Sequence, residues 1–447
     1  MDFNVRSSKY RKIWSVFNKG YLLLLQLFLL NQLKAANKRL IVFAINQAIM
    51  NLQIEKLHSK ASKYERLIIG LMSGTSMDGL DIALCRVKGN GAETDIEVLE
   101  FKTAAFTDDF RAKIKAIFSK RQVDLQSVCL MNEHIANVHA GLINDALKEW
   151  GYKSEEIDFI ASHGQTIFHA PKSLHKLEEY PNGTLQIGDG DHIAVKTGIV
   201  TLSDFRQKHL AAGGEGAPLA VYGDYLIFSK AGEDRIMLNI GGIANFTYLP
   251  GNLNTAEIFS TDVGPGNTLM DQYVQKYYDR FYDKNAEVAL SGELNKNLLS
   301  SLLNCAFFEE DFPKTTGPEL FNLEYLEQAQ NSSSTQNINT QDVVATLCHF
   351  SAETITNAIK KCFGANAAAH IFMSGGGMHN PLLVSLLKTK LPHSTFHTTD
   401  DLGINPDAKE AVLFAVLANE TICGSPINFG HRQGVPSVCM GKISLPE

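Results

Sequence analysis

Residues 67–88 read LIIGLMSGTSMDGLDIALCRVK, where an apolar run is followed by a loop of glycine, serine and threonine. Alternating apolar residues at Leu80, Ile82 and Leu84 then predict a second strand. The same order recurs at 236–249, IMLNIGGIANFTYL, where two glycines separate two apolar runs. Each half of the chain therefore contains one predicted unit of strand, glycine turn and strand.

Helical patterns follow both units. Residues 131–150 and 342–363 carry apolar side chains at intervals of three and four, which predicts two long helices. Residues 371–391, IFMSGGGMHNPLLVSLLKTKL, predict a strand, a triple-glycine turn and a helix that begins at Asn380–Pro381. The polar run 329–341 is predicted as a connection. Mixed strands and helices in both halves predict an α/β fold of two lobes.

The bulk composition restricts the class of protein. A chain of 447 residues is too long for one ordinary core, and 45% hydrophobic with 20% charged residues is typical of a globular protein. The net charge of -7 argues against a nucleic-acid partner, since phosphate backbones require a basic surface. Seven scattered cysteines without a Cys-x-x-Cys pair favour a reduced, cytoplasmic compartment.

Residues 1–65 differ from the rest of the chain. Basic residues precede the apolar run YLLLLQLFLL at 21–30, as in a signal peptide, but roughly 20 apolar residues are needed to span a bilayer. Three interpretations remain open: a signal or anchor, a helical appendage, and an artefactual extension upstream of a start near Met50. Residues with recognisable chemistry begin only at 67, which favours the last, and no membrane partner is expected.

Three glycine-rich turns are candidates for binding phosphate. In GTSMDG (74–79), free backbone N–H groups and two hydroxyls can form an anion nest, although an ordinary hairpin turn has the same sequence. The turns at 240–246 and 374–380 are equally ambiguous alone. Together, three such turns after three apolar strands predict a nucleotide held across a cleft. No P-loop or dinucleotide motif occurs, so the triphosphate must be held from both sides by an enzyme that closes.

Seven motifs resemble the anhydro-N-acetylmuramic acid kinase family. In chain order they are GLMSGTSMDGLD (70–81), SHGQTIFH (162–169), LQIGDGDHIA (185–194), DFRQKHLAAGGEGAPLA (204–220), LNIGGIAN (238–245), DVGPGNTLMD (262–271) and SGGGMHN (374–380). The resemblance implies two ribonuclease-H-like lobes of the actin/hexokinase/Hsp70 type, with ATP in the cleft between them. It also implies that water opens a 1,6-anhydro sugar while O6 takes the γ-phosphoryl group, giving N-acetylmuramic acid 6-phosphate in cell-wall recycling.

The resemblance also implies a division of the chain and a set of ATP contacts. After the extension at 1–65, an N-terminal lobe at 66–230 carries the first phosphate hairpin and the sugar-binding loops. A C-terminal lobe at 231–447 carries the second hairpin and the adenosine motif. The residues expected to contact ATP are Gly74, Thr75, Ser76, Met77, Asp78, Gly79, Leu80, Asp81, Gly241, Gly242, Asn245, Gly375, Gly376 and Gly377.

Two residues of this chain are candidates for the general base. The family pattern is Asp-Phe-Arg-x-x-Asp followed by Ala-Ala-Gly-Gly-Gln-Gly-Ala-Pro-Leu, with the second Asp as base. This chain has His209 at that position and Glu215 in place of the glutamine. Either His209 is the base and Glu215 orients it, or Glu215 is the base and His209 donates to the sugar. A third reading is a silent nucleotide-binding relative, and a kinase for a different sugar is a further rival.

Other side chains are candidates for contacting the sugar. Arg206 can bind the lactyl carboxylate or brace its loop. His163 and Gln165 can bind sugar hydroxyls or brace a loop. Glu319 is a candidate contact, but Pro318 stands where family members often have arginine.

Mg²⁺ is expected with ATP, and three aspartates are candidates to hold it, mainly through its waters. These are Asp78, Asp189 and Asp262, each of which could instead cap its own turn. The expected partners are thus a small sugar and ATP, while the oligomeric state, a homodimer among the options, is left open.

Overall fold

The computed structural model describes residues 51–74, 77–217, 219–364, 368–430 and 434–447. The chain divides into two compact units, Met1–Ala61 and Ser62–Glu447. Of the first unit the structure describes one helix, α1 (Leu52–Ala61). The signal-like run at 21–30 and Met50 lie outside the described residues, and so do Thr75 and Ser76 of the first hairpin.

A seven-stranded sheet forms the first half of the second unit, as far as the described residues show. Its order is β12-β6-β4-β1-β2-β3, with β5 paired to β4 off this path. The strands are β1 (Glu65–Ser73), β2 (Gly79–Lys88), β3 (Asp95–Ala105), β4 (Phe159–Ala170), β5 (Gly183–Ile187), β6 (Thr201–Ser203) and β12 (Lys442–Ser444). β1, β2 and β3 form an antiparallel meander, and β4 lies parallel to both β1 and β6.

Helices cover both faces of this sheet. They are α2 (Asp108–Ile117), α3 (Leu125–Trp150), α4 (Lys172–His175), α5 (Gly190–Thr197), α6 (Phe205–Ala211), α7 (Ala220–Phe228) and, from the end of the chain, α15 (Lys409–Cys423). Along β1, Ile69 and Leu71 share a buried apolar cluster with Ile135 of α3. Gly70, between them, faces α15, where a Cβ would lie 1.9 Å from the carbonyl oxygen of Ala411. Since successive residues of a strand face opposite sides, α3 and α15 lie on opposite faces.

The second half repeats the same topology. Its five-stranded sheet has the order β11-β10-β7-β8-β9, in which β7, β8 and β9 form an antiparallel meander and β10 lies parallel to β7 and β11. The strands are β7 (Arg235–Ile240), β8 (Ile243–Leu249), β9 (Phe259–Pro265), β10 (His370–Ser374) and β11 (Thr395–Thr398). This order matches β6-β4-β1-β2-β3 strand for strand, so the predicted α/β fold of two like lobes is confirmed.

The helices of the second half enclose a separate apolar core. They are α8 (Thr268–Tyr278), α9 (Glu287–Leu290), α10 (Lys296–Leu303), α11 (Ala306–Glu309), α12 (Leu323–Ser333), α13 (Thr340–Phe363) and α14 (Pro381–Lys390). α14 begins as predicted, because the Asn380 side chain accepts a hydrogen bond from the N–H of Leu383 and Pro381 occupies the first helical position. No helix in the described ranges is long and apolar enough to cross a membrane.

Two expectations need correction. The C-terminal segment does not stay in the second lobe, because β12 pairs with β6 and α15 packs on β1, β2 and β4. The polar run at 329–341 is helical as far as Ser333, where the hydroxyl group of Ser333 donates to the carbonyl oxygen of Ala329. Polar composition alone did not reveal this helix, because its exposed face needs no apolar residues.

Candidate active site

A cavity of about 740 Å³ lies between the two sheets and takes its walls from both halves. β1 contributes Met72, β7 and β8 contribute Asn239 and Asn245, and the turn after β10 contributes Gly375. The helix α7 forms one wall, and it packs against both α15 and β8. The close approach of α7 to α15 requires Gly223, where a Cβ would lie 2.2 Å from the Leu413 side chain. The cavity is therefore a cleft between the two lobes, which are joined by the packing of α7 against α15 and β8.

The second and third glycine turns lie side by side, and Asn245 and Gly375 of these turns line the cavity, whereas Gly241, Gly242, Gly376 and Gly377 do not. Gly375 has φ +81, and a Cβ there would lie 2.6 Å from the side-chain oxygen of Asn239. Likewise, a Cβ on Gly377 would lie 2.2 Å from the Ile240 side chain. Only glycine allows the two turns to approach this closely. The sequence prediction that these turns face one site is consistent with this arrangement.

The second turn is tied to the start of α8. The carbonyl oxygen of Gly241 accepts from the N–H of Asn267 at 2.8 Å, and that of Gly242 accepts from the N–H of Thr268 at 3.0 Å. The turn therefore presents its carbonyl groups to the N-terminal end of α8 and satisfies the N–H groups of Asn267 and Thr268.

The first hairpin lies at the edge of the cavity. Met72 lines the cavity, but none of the described residues at 74 and 77–81 does. Leu80 is fully buried in the apolar core of the first lobe, and Asp81 accepts a hydrogen bond from the Thr103 hydroxyl. Met77 is also buried in this core, so Met77, Leu80 and Asp81 serve the fold of the first lobe here, and the other predicted residues of the hairpin stay candidate phosphate contacts.

The loop at 204–217 holds Arg206 at the cavity wall. Its Nε donates to His163 Nε2 at 2.9 Å, and its Nη1 donates to the carbonyl oxygen of Gly216 at 2.6 Å. The N–H of Gly216 in turn donates to His209 Nδ1 at 3.0 Å. Gly214 packs on the His209 ring, where a Cβ would lie 2.2 Å from Nδ1. The glycines of this loop thus leave room for the buried His209 ring and for Arg206, which both form hydrogen bonds with the backbone of Gly216.

His209 is fully buried and does not line the cavity. Because its Nδ1 accepts a hydrogen bond, the neutral ring carries its proton on Nε2. Burial, with a further effect of Arg206, lowers the pKa of His209 to about 4. In this arrangement the free nitrogen of His209 is a donor, which does not fit the role of a general base. Glu215 is exposed and also lies outside the cavity lining.

The predicted sugar contacts His163 and Gln165 are both occupied by protein partners. His163 Nε2 accepts from Arg206, so its proton is on Nδ1, which lies 2.9 Å from the carbonyl oxygen of Gly164. Gln165 accepts from the Ser73 hydroxyl at 2.6 Å and donates to the carbonyl oxygen of Gly74 at 3.3 Å. Both side chains thus have protein partners in this structure, and His163 also lines a second cavity in the first lobe, so a contact with the sugar stays a prediction.

A second cavity of about 570 Å³ lies in the first lobe, beside the middle of β4 and the end of β6. Ser162, Asp189, Asp204 and Lys442 line it. Ser162 is 1% exposed, and its hydroxyl oxygen has no hydrogen-bond partner among the described residues. A buried polar atom without a partner favours a polar ligand at this position.

Known proteins of one family match this chain over most of its length. The family model described as Anhydro-N-acetylmuramic acid kinase matches residues 66–444. The chain belongs to this family. The anhydro-N-acetylmuramic acid kinase of Pseudoalteromonas atlantica is 54% identical over 401 residues, which is 89% of this chain and 100% of the relative. That of Caldanaerobacter subterraneus is 39% identical and covers 86% of this chain and 98% of its own length.

Solved structures resemble the chain only distantly. A ROK family glucokinase from Streptomyces griseus in complex with glucose and AMPPNP has a TM-score of 0.33 and 11% identity, with 78% of this chain and 98% of that chain covered. The assignment to the anhydro-N-acetylmuramic acid kinase family therefore rests on the sequence matches, which confirm the resemblance found in the motifs.

The three candidate metal aspartates of this family member lie apart. Asp262 lines the cleft, where it accepts from the N–H of Thr316 at 2.9 Å and burial raises its pKa. Asp189 lines the second cavity and caps α5 by accepting from the N–H of Asp191. Asp78 belongs to the first hairpin. No group of three acidic, histidine or cysteine side chains suited to a metal occurs within the described ranges.

Glu319 lies near the cleft but does not line it. Its carboxylate folds back over Gly317, where a Cβ would lie 2.2 Å from Oε2. It is also close enough to raise the pKa of Asp262. A substrate contact from Glu319 therefore stays a prediction, with the carboxylate placed at the rim.

Sequence reasoning missed the charged groups that α15 and α7 bring to the cleft. Glu410 lines the cleft wall and its side chain is exposed there. Desolvation by the surrounding protein raises the pKa of Glu410, and the charges of Arg206 and Lys409 oppose that rise. Lys409 Nζ lies 2.8 Å from the carboxylate of Asp224, which also accepts from the Thr247 hydroxyl at 2.6 Å. The sequence feature that could have revealed these groups is the run DAKEA (407–411), which places acidic and basic residues at the start of an apolar helix.

Proposed function

We propose that this chain is an ATP- and Mg²⁺-dependent kinase that hydrolyses 1,6-anhydro-N-acetylmuramic acid and phosphorylates its O6. The product is N-acetylmuramic acid 6-phosphate, formed in the cytoplasm during cell-wall recycling. The observation that carries the proposal is the interlobe cleft, which Asn245 and Gly375 of the two glycine turns line, in a chain of this family. Phosphoryl transfer requires alignment and charge neutralisation more than covalent help, and a cleft that closes supplies both.

The proposed reaction breaks one sugar bond and forms two. The oxygen of water attacks the anomeric carbon, and the bond from that carbon to O6 breaks. O6 then takes the γ-phosphoryl group, ADP leaves, and a base of the protein takes the proton of the water. We place ATP in the cleft against the turns at 241–242 and 375–377, and the sugar toward the second cavity of the first lobe. Its buried Ser162 hydroxyl is available there for a hydrogen bond.

For Mg²⁺, the carboxylate in the cleft that fits best is Asp262, because Asp224 is already paired with Lys409. Mg²⁺ usually keeps several waters and needs only one or two protein carboxylates beside the phosphates. When bound, it would neutralise charge on the phosphoryl oxygens during transfer.

For the base, the arrangement favours Glu410 over the two residues predicted from the sequence. Glu410 lines the cleft, and a raised pKa brings a carboxylate closer to the range in which a base works near neutral pH. The charge of Arg206 opposes that rise in the pKa of Glu410 and so favours its ionised form. His209 is buried with its proton on the free nitrogen, and Glu215 lies outside the cleft.

The reaction is tested by supplying the purified protein with ATP, Mg²⁺ and the anhydro-sugar in water enriched in ¹⁸O. We expect ADP and the 6-phosphate, with one ¹⁸O at the anomeric carbon and none in the phosphate ester. Turnover with an ordinary hexose but not with the anhydro-sugar would refute the substrate assignment. No turnover with any sugar would favour a silent nucleotide-binding protein.

The base is tested by comparing Glu410→Gln with Glu215→Gln. Loss of a positioned base typically costs about 10²- to 10⁴-fold in rate, so we expect Glu410→Gln to lower kcat by at least 100-fold. Glu215→Gln, which restores the residue common in the family, should change kcat by less than about threefold. In the wild type, kcat/KM should fall as the pH drops through the raised pKa of Glu410, because a protonated carboxyl cannot accept a proton. The opposite ranking of the two variants would make Glu215 the base.

A further inference from the structure

Two buried histidines converge on Arg206 from different parts of the chain. His163 comes from β4, is 2% exposed, and packs its ring against Phe414 of α15 with 4.8 Å between ring centroids. His209 comes from α6, is fully buried, and meets the edge of the Tyr222 ring at 5.7 Å. Burial and these ring contacts restrict the orientation of each imidazole, so its nitrogens hold set positions.

The hydrogen bonds define which nitrogen of each ring is unprotonated. Arginine only donates, so His163 Nε2, 2.9 Å from Arg206 Nε, must be an acceptor, and Nδ1 carries the proton toward Gly164. A backbone N–H also only donates, so His209 Nδ1, 3.0 Å from the N of Gly216, must be an acceptor. The two histidines therefore adopt opposite neutral tautomers.

Both acceptors act on the same guanidinium group. His163 holds Nε of Arg206 directly, while His209 holds Gly216, whose carbonyl oxygen accepts from Nη1 of Arg206 at 2.6 Å. Gly216 has φ +81, a backbone conformation that suits glycine and turns its N–H and its C=O toward two different partners. Burial lowers the pKa of His163 to about 3 and that of His209 to about 4, which keeps both rings neutral beside the arginine.

We propose that His163 and His209 are positioning residues that fix the guanidinium group of Arg206 at the wall of the interlobe cleft, which Glu410 also lines. The reaction step rests on the proposed function, but the arrangement itself does not. His209, which occupies the position of the base in the family pattern, therefore has a different role here. It accepts a backbone hydrogen bond from Gly216 and holds the loop at 204–217 that carries Arg206.

Amide side chains offer matched variants, because Asn places its polar atoms at the position of Nδ1 and Gln reaches that of Nε2. His163→Gln keeps an acceptor for Arg206, whereas His163→Asn does not. His209→Asn keeps an acceptor for Gly216, whereas His209→Gln does not. We expect His163→Asn and His209→Gln to lower kcat/KM by about 10- to 100-fold, because the first removes a hydrogen bond to a charged group and the second leaves the buried N–H of Gly216 without its acceptor. Their matched partners should stay within about fivefold of the wild type.

The pH profile separates positioning from a purely structural role. If Arg206 moves away, the pKa of Glu410 rises, so the acidic limb of kcat/KM should shift to higher pH in the two impaired variants only. Thermal unfolding of all four variants tests whether they fold. Equal loss in both members of either pair, with the fold intact, would overturn the proposal, and equal loss at 209 would restore His209 as a catalytic residue.

A measurement without turnover tests the arrangement separately. Both contacts are N–H···N hydrogen bonds, so the ¹⁵N-labelled protein should show scalar coupling between Arg206 Nε and His163 Nε2, and between the N of Gly216 and His209 Nδ1. The imidazole ¹⁵N shifts should report opposite tautomers. Absence of either coupling, or a charged ring at pH 7, would overturn the inference. Couplings in a protein with no kinase activity would leave the arrangement standing and refute the proposed function.

Discussion

Replacing His139 by leucine should make the protein markedly less sensitive to acid. His139 lies on α3, is 1% exposed, and stacks on Phe106 with 6.0 Å between ring centroids. Neither ring nitrogen has a hydrogen-bond partner among the described residues. Burial therefore lowers its pKa from 6.5 to about 4.

The sign and size follow from linkage. Between pH 6.5 and about pH 4, the imidazole of His139 is mostly protonated in the unfolded chain but neutral in the folded protein. The free energy of unfolding therefore decreases as the pH falls. At about 1.4 kcal/mol per pKa unit, the loss between pH 7.5 and 5 is about 2 kcal/mol, and it approaches 3 kcal/mol by pH 4. Leucine cannot bind a proton, so His139→Leu should lack this contribution. It should also be no less stable at pH 7.5, since an unpartnered buried polar group is removed.

The assay is urea unfolding at 25 °C at several pH values for the wild type, His139→Leu and His134→Leu. His134 lies on the same helix but is exposed, which makes its variant a control for the substitution itself. The free energy of unfolding of His139→Leu should gain about 2 kcal/mol relative to both other proteins between pH 7.5 and 5. Parallel pH dependence in all three proteins would refute the burial of a neutral, unpartnered imidazole at this position.

Two further substitutions test how the lobes are held. Gly70→Ala should destabilise by about 3 kcal/mol or prevent folding, because its Cβ would lie 1.9 Å from the carbonyl oxygen of Ala411; an unchanged unfolding midpoint would contradict the packing of β1 on α15. Asp224→Asn should cost about 3 kcal/mol by leaving Lys409 unpaired, and adding Lys409→Met should recover part of it in urea unfolding. Additive losses in the double variant would mean that the pair is not coupled.

Local patterns were enough to predict the strands and helices that build both lobes. Alternation in 79–88 and helical spacing in 342–363 correspond to β2 and to α13 within a few residues. Glycine turns could be located because a sharp turn, or a close approach such as that of Gly375 to Asn239, tolerates no side chain. Such signals are contained in a few neighbouring residues, so they are visible without the fold.

The chemistry of the site was less accessible. His209 and Glu215 were chosen because they stand in a motif, yet Glu215 is exposed and His209 is buried with its free nitrogen protonated. Glu410, far along the chain, lines the same cleft as Arg206 only because α15 returns to the first sheet. The protonation of a histidine depends on which donors surround it, and these come from other segments.

The sequence by itself thus determined the two-lobed α/β architecture, the glycine turns and the family, because each depends on local backbone preference or on motifs read in order. Only the tertiary structure decided that β12 completes the first sheet, that His163 and His209 converge on one arginine, and that the cleft carries Glu410. These juxtapositions arise from packing between segments that are distant in the chain, and local periodicity contains no information about such contacts.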